Sequence, residues 1–215
     1  MMHSIEQILA KAYPVLPVLV VNQPDTAIAL AQALHQGGVQ VLEITLRTPQ
    51  ALEVVTTLRQ QLPELLVGVG TVVQAEQFEQ AKQAGAQFAV SPGFTPQLAD
   101  AAQASALPYL PAVMTPSEVL HAMEHGYRTL KLFPASLEGS LKLLDSFKGP
   151  FTDIKFCPTG GIQLDNLLSF LKLPNVICCG GSWLAPDALV RANDWRQITA
   201  LAQQAQELAR SLVCV

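Results

Sequence analysis

Short apolar segments alternate with longer segments of helical spacing along the whole of this 215-residue chain. In one of the longer segments, Ala27, Leu30, Ala31 and Leu34 recur with the period of a helix. Alternating strands and helices predict right-handed βαβ units and a parallel sheet. Eight strands are predicted, at Val15–Val21, Val39–Leu46, Leu66–Thr71, Phe88–Pro92, Tyr109–Val113, Thr129–Pro134, Ile154–Thr159 and Val176–Gly180.

Eight such units, preceded by one further helix, favour an α/β fold of the (β/α)8 TIM barrel type with an extra N-terminal helix. An open doubly wound sheet is the alternative, because periodicity alone does not show that a sheet closes. The length suits one barrel of roughly 200–250 residues. Neither a linker nor a low-complexity stretch divides the chain, so we expect residues 1–215 to form a single barrel domain.

Composition and charge exclude several classes of protein. Half of the residues are hydrophobic and only 6% are aromatic, which suits a parallel sheet buried on both faces. A net charge of −4 without a basic block argues against a nucleic-acid partner. No apolar run is long enough to span a membrane, and Met1–Lys11 lacks the basic start of a signal peptide, so a cytoplasmic protein is expected. The cysteines have no C-x-x-C spacing and are expected to be buried free thiols: Cys157, Cys178, Cys179 and Cys214.

Helix boundaries follow from capping residues, proline and glycine. The predicted starts are Pro24-Asp25, Thr48-Pro49, Thr95-Pro96, Thr115-Pro116 and Pro186-Asp187, and the predicted ends are Gly37-Gly38, Gly85 and Gly126.

In a (β/α)8 barrel, chemistry takes place at the carboxyl ends of the strands and in the loops that follow them. Polar residues at those ends are therefore the candidates for function.

Lys131, between two leucines of the sixth predicted strand, is the most specific candidate. A lysine in a buried strand loses hydration, which lowers its pKa, and a neutral amine can attack a ketone to form a Schiff base. The alternative is a lysine that reaches solvent at the barrel rim or pairs with a carboxylate. Lys155 is a rival, but it lies near the start of its strand and so at the other end of the barrel.

Glu43 and Arg47 come from the second predicted strand and the residues just beyond it. In the lumen, Glu43 could move protons to and from the substrate of Lys131, directly or through a water molecule. The planar fork of Arg47 suits a carboxylate. The alternatives are a buried Glu43–Lys131 ion pair without chemistry and a surface cation at a helix start.

Two glycine-rich segments follow the last two strands, Thr159-Gly160-Gly161 and Gly180-Gly181-Ser182. Glycine lets backbone N–H groups approach a ligand, and barrels often bind phosphate at this place. Glycine is also common where loops begin, so each segment alone is weak support. Two of them after consecutive strands predict a phosphate site.

His121, Glu124 and His125 match the H-x-x-E-H pattern of some zinc enzymes. They fall in the helix after the fifth strand, away from the expected active face, and no third ligand is evident. We therefore expect a solvated helix face, no metal and no cofactor.

Six ordered segments resemble the 2-keto-3-deoxy-6-phosphogluconate (KDPG) and KHG/KDPG aldolases. They are GVQVLEITLRT from Gly38, VGVGT from Val67, AQFAVSPG from Ala86, LKLFPA from Leu130, FCPTGGI from Phe156 and GGSWL from Gly180. The resemblance extends from about Pro14 to the C-terminal helix. It implies a class I aldolase with a barrel fold, without a metal, that assembles as a homotrimer.

The resemblance also implies roles for individual residues. The Schiff-base lysine falls on Lys131 and the proton-transferring glutamate on Glu43. The family's substrate-binding residues form the pyruvate carboxylate pocket, the pocket wall and the phosphate loops. In this sequence they fall on Arg47, Thr71, Pro92, Phe133, Thr159, Gly160, Gly161, Gly181 and Ser182.

The expected reaction is cleavage of a phosphorylated 2-keto acid, KDPG, to pyruvate and glyceraldehyde 3-phosphate. The same lysine could serve an aldolase of 4-hydroxy-2-oxoglutarate or of the galactonate epimer, or a decarboxylase of oxaloacetate. A non-covalent barrel isomerase and a non-catalytic metabolite-binding barrel are alternatives from other classes. Residues 111–116 and 136–140 depart from the family pattern, which leaves substrate choice more open than the reaction.

Overall fold

A computed structural model describes residues 3–212. Ten helices and nine parallel strands alternate in this part of the chain. The strands are β1 Val15–Leu19, β2 Val41–Thr45, β3 Leu66–Gly70, β4 Ala89–Val90, β5 Tyr109–Leu110, β6 Ala112–Val113, β7 Thr129–Leu132, β8 Lys155–Pro158 and β9 Cys179–Gly181. The helices are α1 Ile5–Ala12, α2 Pro24–Gln36, α3 Ala51–Gln61, α4 Glu76–Gln83, α5 Pro96–Ser105, α6 Pro116–Glu124, α7 Ser140–Phe147, α8 Leu164–Leu171, α9 Asp187–Arg191 and α10 Trp195–Arg210.

The strands close into a barrel, which confirms the predicted fold class and excludes the open sheet. One arc runs in the order β5-β4-β3-β2-β1-β9, and the other in the order β6-β7-β8. Bridges from Phe156 to Val176 and from Thr159 to Gly180 join β8 to the β9 segment. At the other seam, the Lys131 N–H donates to the Pro111 carbonyl over 2.8 Å.

The fifth predicted strand, Tyr109–Val113, is divided in the structure into β5 and β6. The intervening residue is Pro111, which has no N–H to donate to a neighbouring strand. Its carbonyl still accepts from β7, so the barrel wall continues across the interruption. Six of the other seven predicted strands each contain one observed strand, and most of them extend one or two residues too far. The last prediction, Val176–Gly180, begins three residues before β9 and ends one residue short of it.

Side chains alternate between the lumen and the outer helices along each strand. Inward residues form one buried cluster that contains Leu16, Val41, Phe88 and Leu110. Helix α1 adds Ile8, Leu9 and Ala12 to this cluster and so closes the amino-terminal end of the barrel. The lumen is therefore apolar and sealed at one end, and solvent reaches it from the carboxyl end of the strands.

Four of the five predicted helix starts are confirmed, and the start at Thr48-Pro49 is wrong. Helix α3 begins at Ala51 instead. The Thr48 hydroxyl donates to the Val21 carbonyl over 2.9 Å, which ties the segment after β2 to the end of β1 rather than capping a helix. The three predicted helix ends are confirmed, with left-handed backbone at Gly38, Gly85 and Gly126.

Three of the predicted free thiols, Cys157, Cys178 and Cys179, are buried and unbridged, as expected. Cys214 lies outside the described residues. Within residues 3–212, no helix combines the length and apolar character that crossing a membrane requires.

Gly37, directly after α2, permits a close approach of this helix end to α10. A Cβ at this position would overlap the Ala202 methyl group and lie 2.8 Å from the Thr199 carbonyl oxygen. We expect Gly37→Ala to lower the free energy of unfolding in urea by about 1–3 kcal/mol, because the helices must separate.

Gly149→Ala is the matched control, since the nearest atom to its Cβ would be the Ser146 carbonyl oxygen at 4.0 Å. We expect this variant to differ from wild type by no more than about 0.5 kcal/mol. Equal urea midpoints for the two variants would contradict the packing argument.

Candidate active site

A cavity of about 290 Å³ opens at the carboxyl ends of the strands. Eight of the predicted site residues line it: Arg47, Lys131, Phe133, Thr159, Gly160, Gly161, Gly181 and Ser182. Glu43, Thr71 and Pro92 do not line this cavity. Other residues of the wall, among them Val18, Ile162 and Gln163, were not predicted from the sequence, because apolar and amide side chains near strand ends have no distinctive chemistry.

Lys131 lies in the lumen near the end of β7. Its strand neighbours are Ala112 on β6 and Cys157 on β8, neither of which carries a charge that could pair with the amine. The side chain is 6% exposed, and its Nζ lies 5.0 Å from the centroid of the Phe133 ring. Lys131 therefore presents an amine to the cavity from a largely apolar wall, and it does not extend to the barrel rim.

Glu43 lies on β2, opposite Val18 of β1 and Gly68 of β3. It is 2% exposed, and its carboxyl group occupies the space that a side chain at Gly70 would fill. Burial raises the pKa of Glu43, while the positive charges of Lys131 and Arg47 act in the opposite direction. A carboxyl group with a raised pKa can donate a proton as well as accept one.

The predicted alternative of a Glu43–Lys131 ion pair is not observed. The ion pairs within residues 3–212 join other side chains, all of them at the surface. Glu43 and Lys131 thus share the lumen without a contact ion pair, and the charge of Lys131 still acts on the carboxyl group of Glu43.

Arg47 is held by Thr71. Its Nε donates to the Thr71 hydroxyl oxygen over 3.1 Å, and Thr71 has a left-handed backbone with φ of 61°. This conformation is rare for a β-branched residue and costs about 1–3 kcal/mol. The bond uses one guanidinium donor and leaves the terminal amino groups of Arg47 available to an anion. Pro92, the third residue predicted for the carboxylate pocket, is exposed just beyond β4.

The segment after β8 has the geometry of an anion site. Gly160 and Gly161 have φ angles of 91° and 72°, which favour glycine. The backbone N–H groups of Gly160, Gly161 and Ile162 donate to no protein acceptor within residues 3–212, and the same holds for Ser182. Helix α8 begins immediately afterwards, and its amino-terminal end favours negative charge.

Gly180 is required where the two glycine-rich segments meet. A Cβ at Gly180 would overlap the side chain of Thr159, which pairs with it across β8 and β9. The glycine therefore lets the two segments approach each other, and together they form one side of the cavity.

Lys155 and the H-x-x-E-H segment lie away from this cavity. The Lys155 amine donates to the Pro174 carbonyl over 3.0 Å at the amino-terminal start of β8. His121 is exposed on α6 and His125 is half-buried just after it. Their rings contact the Glu124 carboxylate and the His121 carbonyl. No group of three or more potential metal ligands occurs among the described residues.

The raised pKa of Glu43 leads us to expect that the free energy of unfolding depends on pH. A carboxyl group whose pKa is higher in the folded protein than in the unfolded chain binds more protons when folded. Its contribution to the free energy of unfolding is therefore lost as pH rises through the folded pKa. Glu43→Gln removes this titration. We expect its free energy of unfolding in urea to increase relative to wild type as pH rises from 4.5 towards neutrality. A difference that is independent of pH would contradict the burial argument.

Comparison with known proteins identifies the family of this chain. The family model "KDPG and KHG aldolase" matches residues 5–201. The 2-dehydro-3-deoxy-phosphogluconate aldolase of Pseudoalteromonas atlantica is 47% identical over 192 residues, 89% of each chain. The KHG/KDPG aldolase of Escherichia coli K12 is 44% identical over 207 residues, which is 96% of this chain and 97% of that one.

The fold agrees with the sequence comparison. The crystal structure of the KDPG aldolase of Legionella pneumophila has a TM-score of 0.90 and 42% identity, and the match covers 93% of this chain and 97% of that one. In that crystal, pyruvate was captured at low pH as a covalent carbinolamine intermediate. The family model and the relatives cover most of the sequence, and this chain belongs to the KDPG and KHG aldolase family.

Proposed function

We propose that this protein is a class I aldolase that cleaves KDPG to pyruvate and glyceraldehyde 3-phosphate, with Lys131 as the nucleophile. The observation that carries the proposal is the position of the Lys131 amine in a cavity that also contains Arg47 and the glycine-rich segments. KDPG has a carboxylate next to its ketone and a phosphate at its far end. A cavity with two anion sites and one amine suits a molecule of this kind.

The first half of the mechanism uses Lys131 and Glu43. The neutral amine attacks the C2 ketone and forms a carbinolamine, which loses water to become an iminium. Glu43 donates the proton that this water carries away. The relative from Legionella pneumophila formed a carbinolamine with pyruvate, which supports the first step.

The second half breaks the carbon–carbon bond. Glu43, now ionised, removes the C4 hydroxyl proton, directly or through water, as the C3–C4 bond breaks. The electron pair moves into the iminium and leaves an enamine of pyruvate, and glyceraldehyde 3-phosphate is released. Protonation at C3 and hydrolysis of the iminium then free pyruvate and Lys131. The Lys131 amine and the Glu43 carboxyl group supply all of this chemistry, without a metal or a cofactor.

The remaining site residues bind and orient the substrate in this proposal. Arg47, held by Thr71, binds the carboxylate, with Pro92 beside the same end of the substrate. Phe133 forms the wall next to the amine. The phosphate binds the backbone N–H groups and side chains of the glycine-rich segments: Thr159, Gly160, Gly161, Gly181 and Ser182.

An aldolase of 4-hydroxy-2-oxoglutarate is the second candidate. The E. coli relative is named for both substrates. The phosphate side of the cavity presents backbone N–H groups rather than a cation, and such donors can bind a carboxylate as well as a phosphate. The galactonate epimer of KDPG differs in a hydroxyl group that would lie between the two anion sites.

Assembly and location are part of the same proposal. We infer that residues 1–215 act as a single barrel domain in a cytoplasmic homotrimer, of which the family resemblance implies the trimer. A hydrodynamic mass equal to that of one chain would contradict the trimer.

Turnover measurements on variants distinguish the roles of Lys131 and Glu43. We expect Lys131→Ala to release no pyruvate from KDPG, and Glu43→Gln to lower kcat by about 10²–10⁴-fold while KM changes much less. Lys155→Ala is the matched lysine control, because its amine lies at the other end of the barrel. Pyruvate release is measured with KDPG, its galactonate epimer and 4-hydroxy-2-oxoglutarate.

The proposed function predicts the highest kcat/KM with KDPG. An unchanged kcat in Glu43→Gln would remove Glu43 from the mechanism. A higher kcat/KM with one of the other compounds would make that compound the substrate and leave the role of Lys131 intact.

A further inference from the structure

Asn166, in the first turn of α8, is bonded to the glycine-rich segment through both atoms of its side-chain amide. Its Nδ2 donates to the Gly161 carbonyl over 3.0 Å. Its Oδ1 accepts from the Gln163 N–H over 2.9 Å. The two bonds end on either side of Ile162, so one side chain fixes the backbone at both ends of the residue that joins the glycines to the helix.

The orientation of the Asn166 amide follows from its partners. A backbone carbonyl can only accept and a backbone N–H can only donate, so Nδ2 must face Gly161 and Oδ1 must face Gln163. Aspartate could form the bond to Gln163 but not the bond to Gly161. The two contacts can therefore be separated by substitution.

The bond to Gly161 determines where the Ile162 N–H points. In a trans peptide, the carbonyl and the following N–H point in opposite directions. Because the Gly161 carbonyl is directed to Asn166, the Ile162 N–H is directed away from it, and Ile162 lines the cavity. Two consecutive glycines have many accessible conformations, so this orientation must be imposed by a contact from outside the segment.

We propose that Asn166 is a positioning residue that holds the N–H groups of Gly160, Gly161 and Ile162 in place for the substrate phosphate. Asn166 does not line the cavity and acts only through these backbone groups. The inference rests on the proposed function, since it assigns the phosphate of KDPG to this segment. It predicts that Asn166 affects the affinity for phosphorylated substrates and not the chemistry at Lys131.

A purely structural role would give a different pattern. Near the amino-terminal end of a helix, aspartate is at least as favourable as asparagine. If Asn166 only stabilised α8, Asn166→Asp would retain full activity. If it orients the phosphate site, Asn166→Asp loses the bond to Gly161 and also brings a negative charge close to the phosphate.

The experiment compares two aldehydes that differ only in phosphate, in the condensation direction with pyruvate. We expect Asn166→Ala to raise KM for glyceraldehyde 3-phosphate roughly tenfold, and Asn166→Asp to raise it further. kcat/KM for unphosphorylated glyceraldehyde is expected to stay within about twofold of wild type in Asn166→Ala. Ser169→Ala, at an exposed position later in α8, is the control and should change neither value.

Two further measurements complete the test. Exchange of the pyruvate methyl protons with deuterium reports the Lys131 enamine and should be unchanged in Asn166→Ala. Binding of inorganic phosphate, measured by calorimetry, should be weaker in Asn166→Ala than in wild type whether or not the protein is an aldolase. Equal loss with both aldehydes, full activity in Asn166→Asp or unchanged phosphate binding would overturn the inference. If the wild-type protein condensed neither aldehyde with pyruvate, the proposed function would be overturned instead.

Discussion

Two ionisable side chains, Glu43 and Lys131, are buried in an apolar lumen, and most other features of the site serve to accommodate them. Removing a charge from water is costly, and a contact ion pair would reduce that cost. The ion pairs of the described residues do not include these two groups. Gly70 leaves space for the carboxyl group, and burial raises the pKa of Glu43, which favours its uncharged form.

In the proposed function, recognition of the substrate is divided between a cation and the backbone. Arg47 and Lys131 are the charged residues that line the cavity, and the side near the glycine-rich segments offers N–H groups instead. A protein with a net charge of −4 can bind an anion in this way, because the donors act over a few ångströms and the overall charge matters little at that range. The affinity for the phosphate then depends on the placement of the backbone N–H groups rather than on a charged side chain. Asn166 matters because it holds these groups in place.

Sequence alone predicted the barrel and the residues whose chemistry depends on burial in a strand. Lys131 and Glu43 could be found because a charged residue inside an apolar strand is unusual. Asn166 could not, since a polar residue in the first turn of a helix is ordinary, and its two bonds depend on the path of a neighbouring loop. The later start of α3 was missed for a similar reason, because the tertiary bond from Thr48 to Val21 overrode the local pattern. The interruption at Pro111 has a local cause instead, the missing N–H of proline.

The covalent bond between Lys131 and the substrate can be detected by intact mass after incubation with pyruvate and borohydride, followed by peptide mapping. We expect one reduced pyruvate adduct per chain, located on Lys131 and absent from Lys131→Ala. An adduct on another lysine, or none in a folded protein, would contradict it.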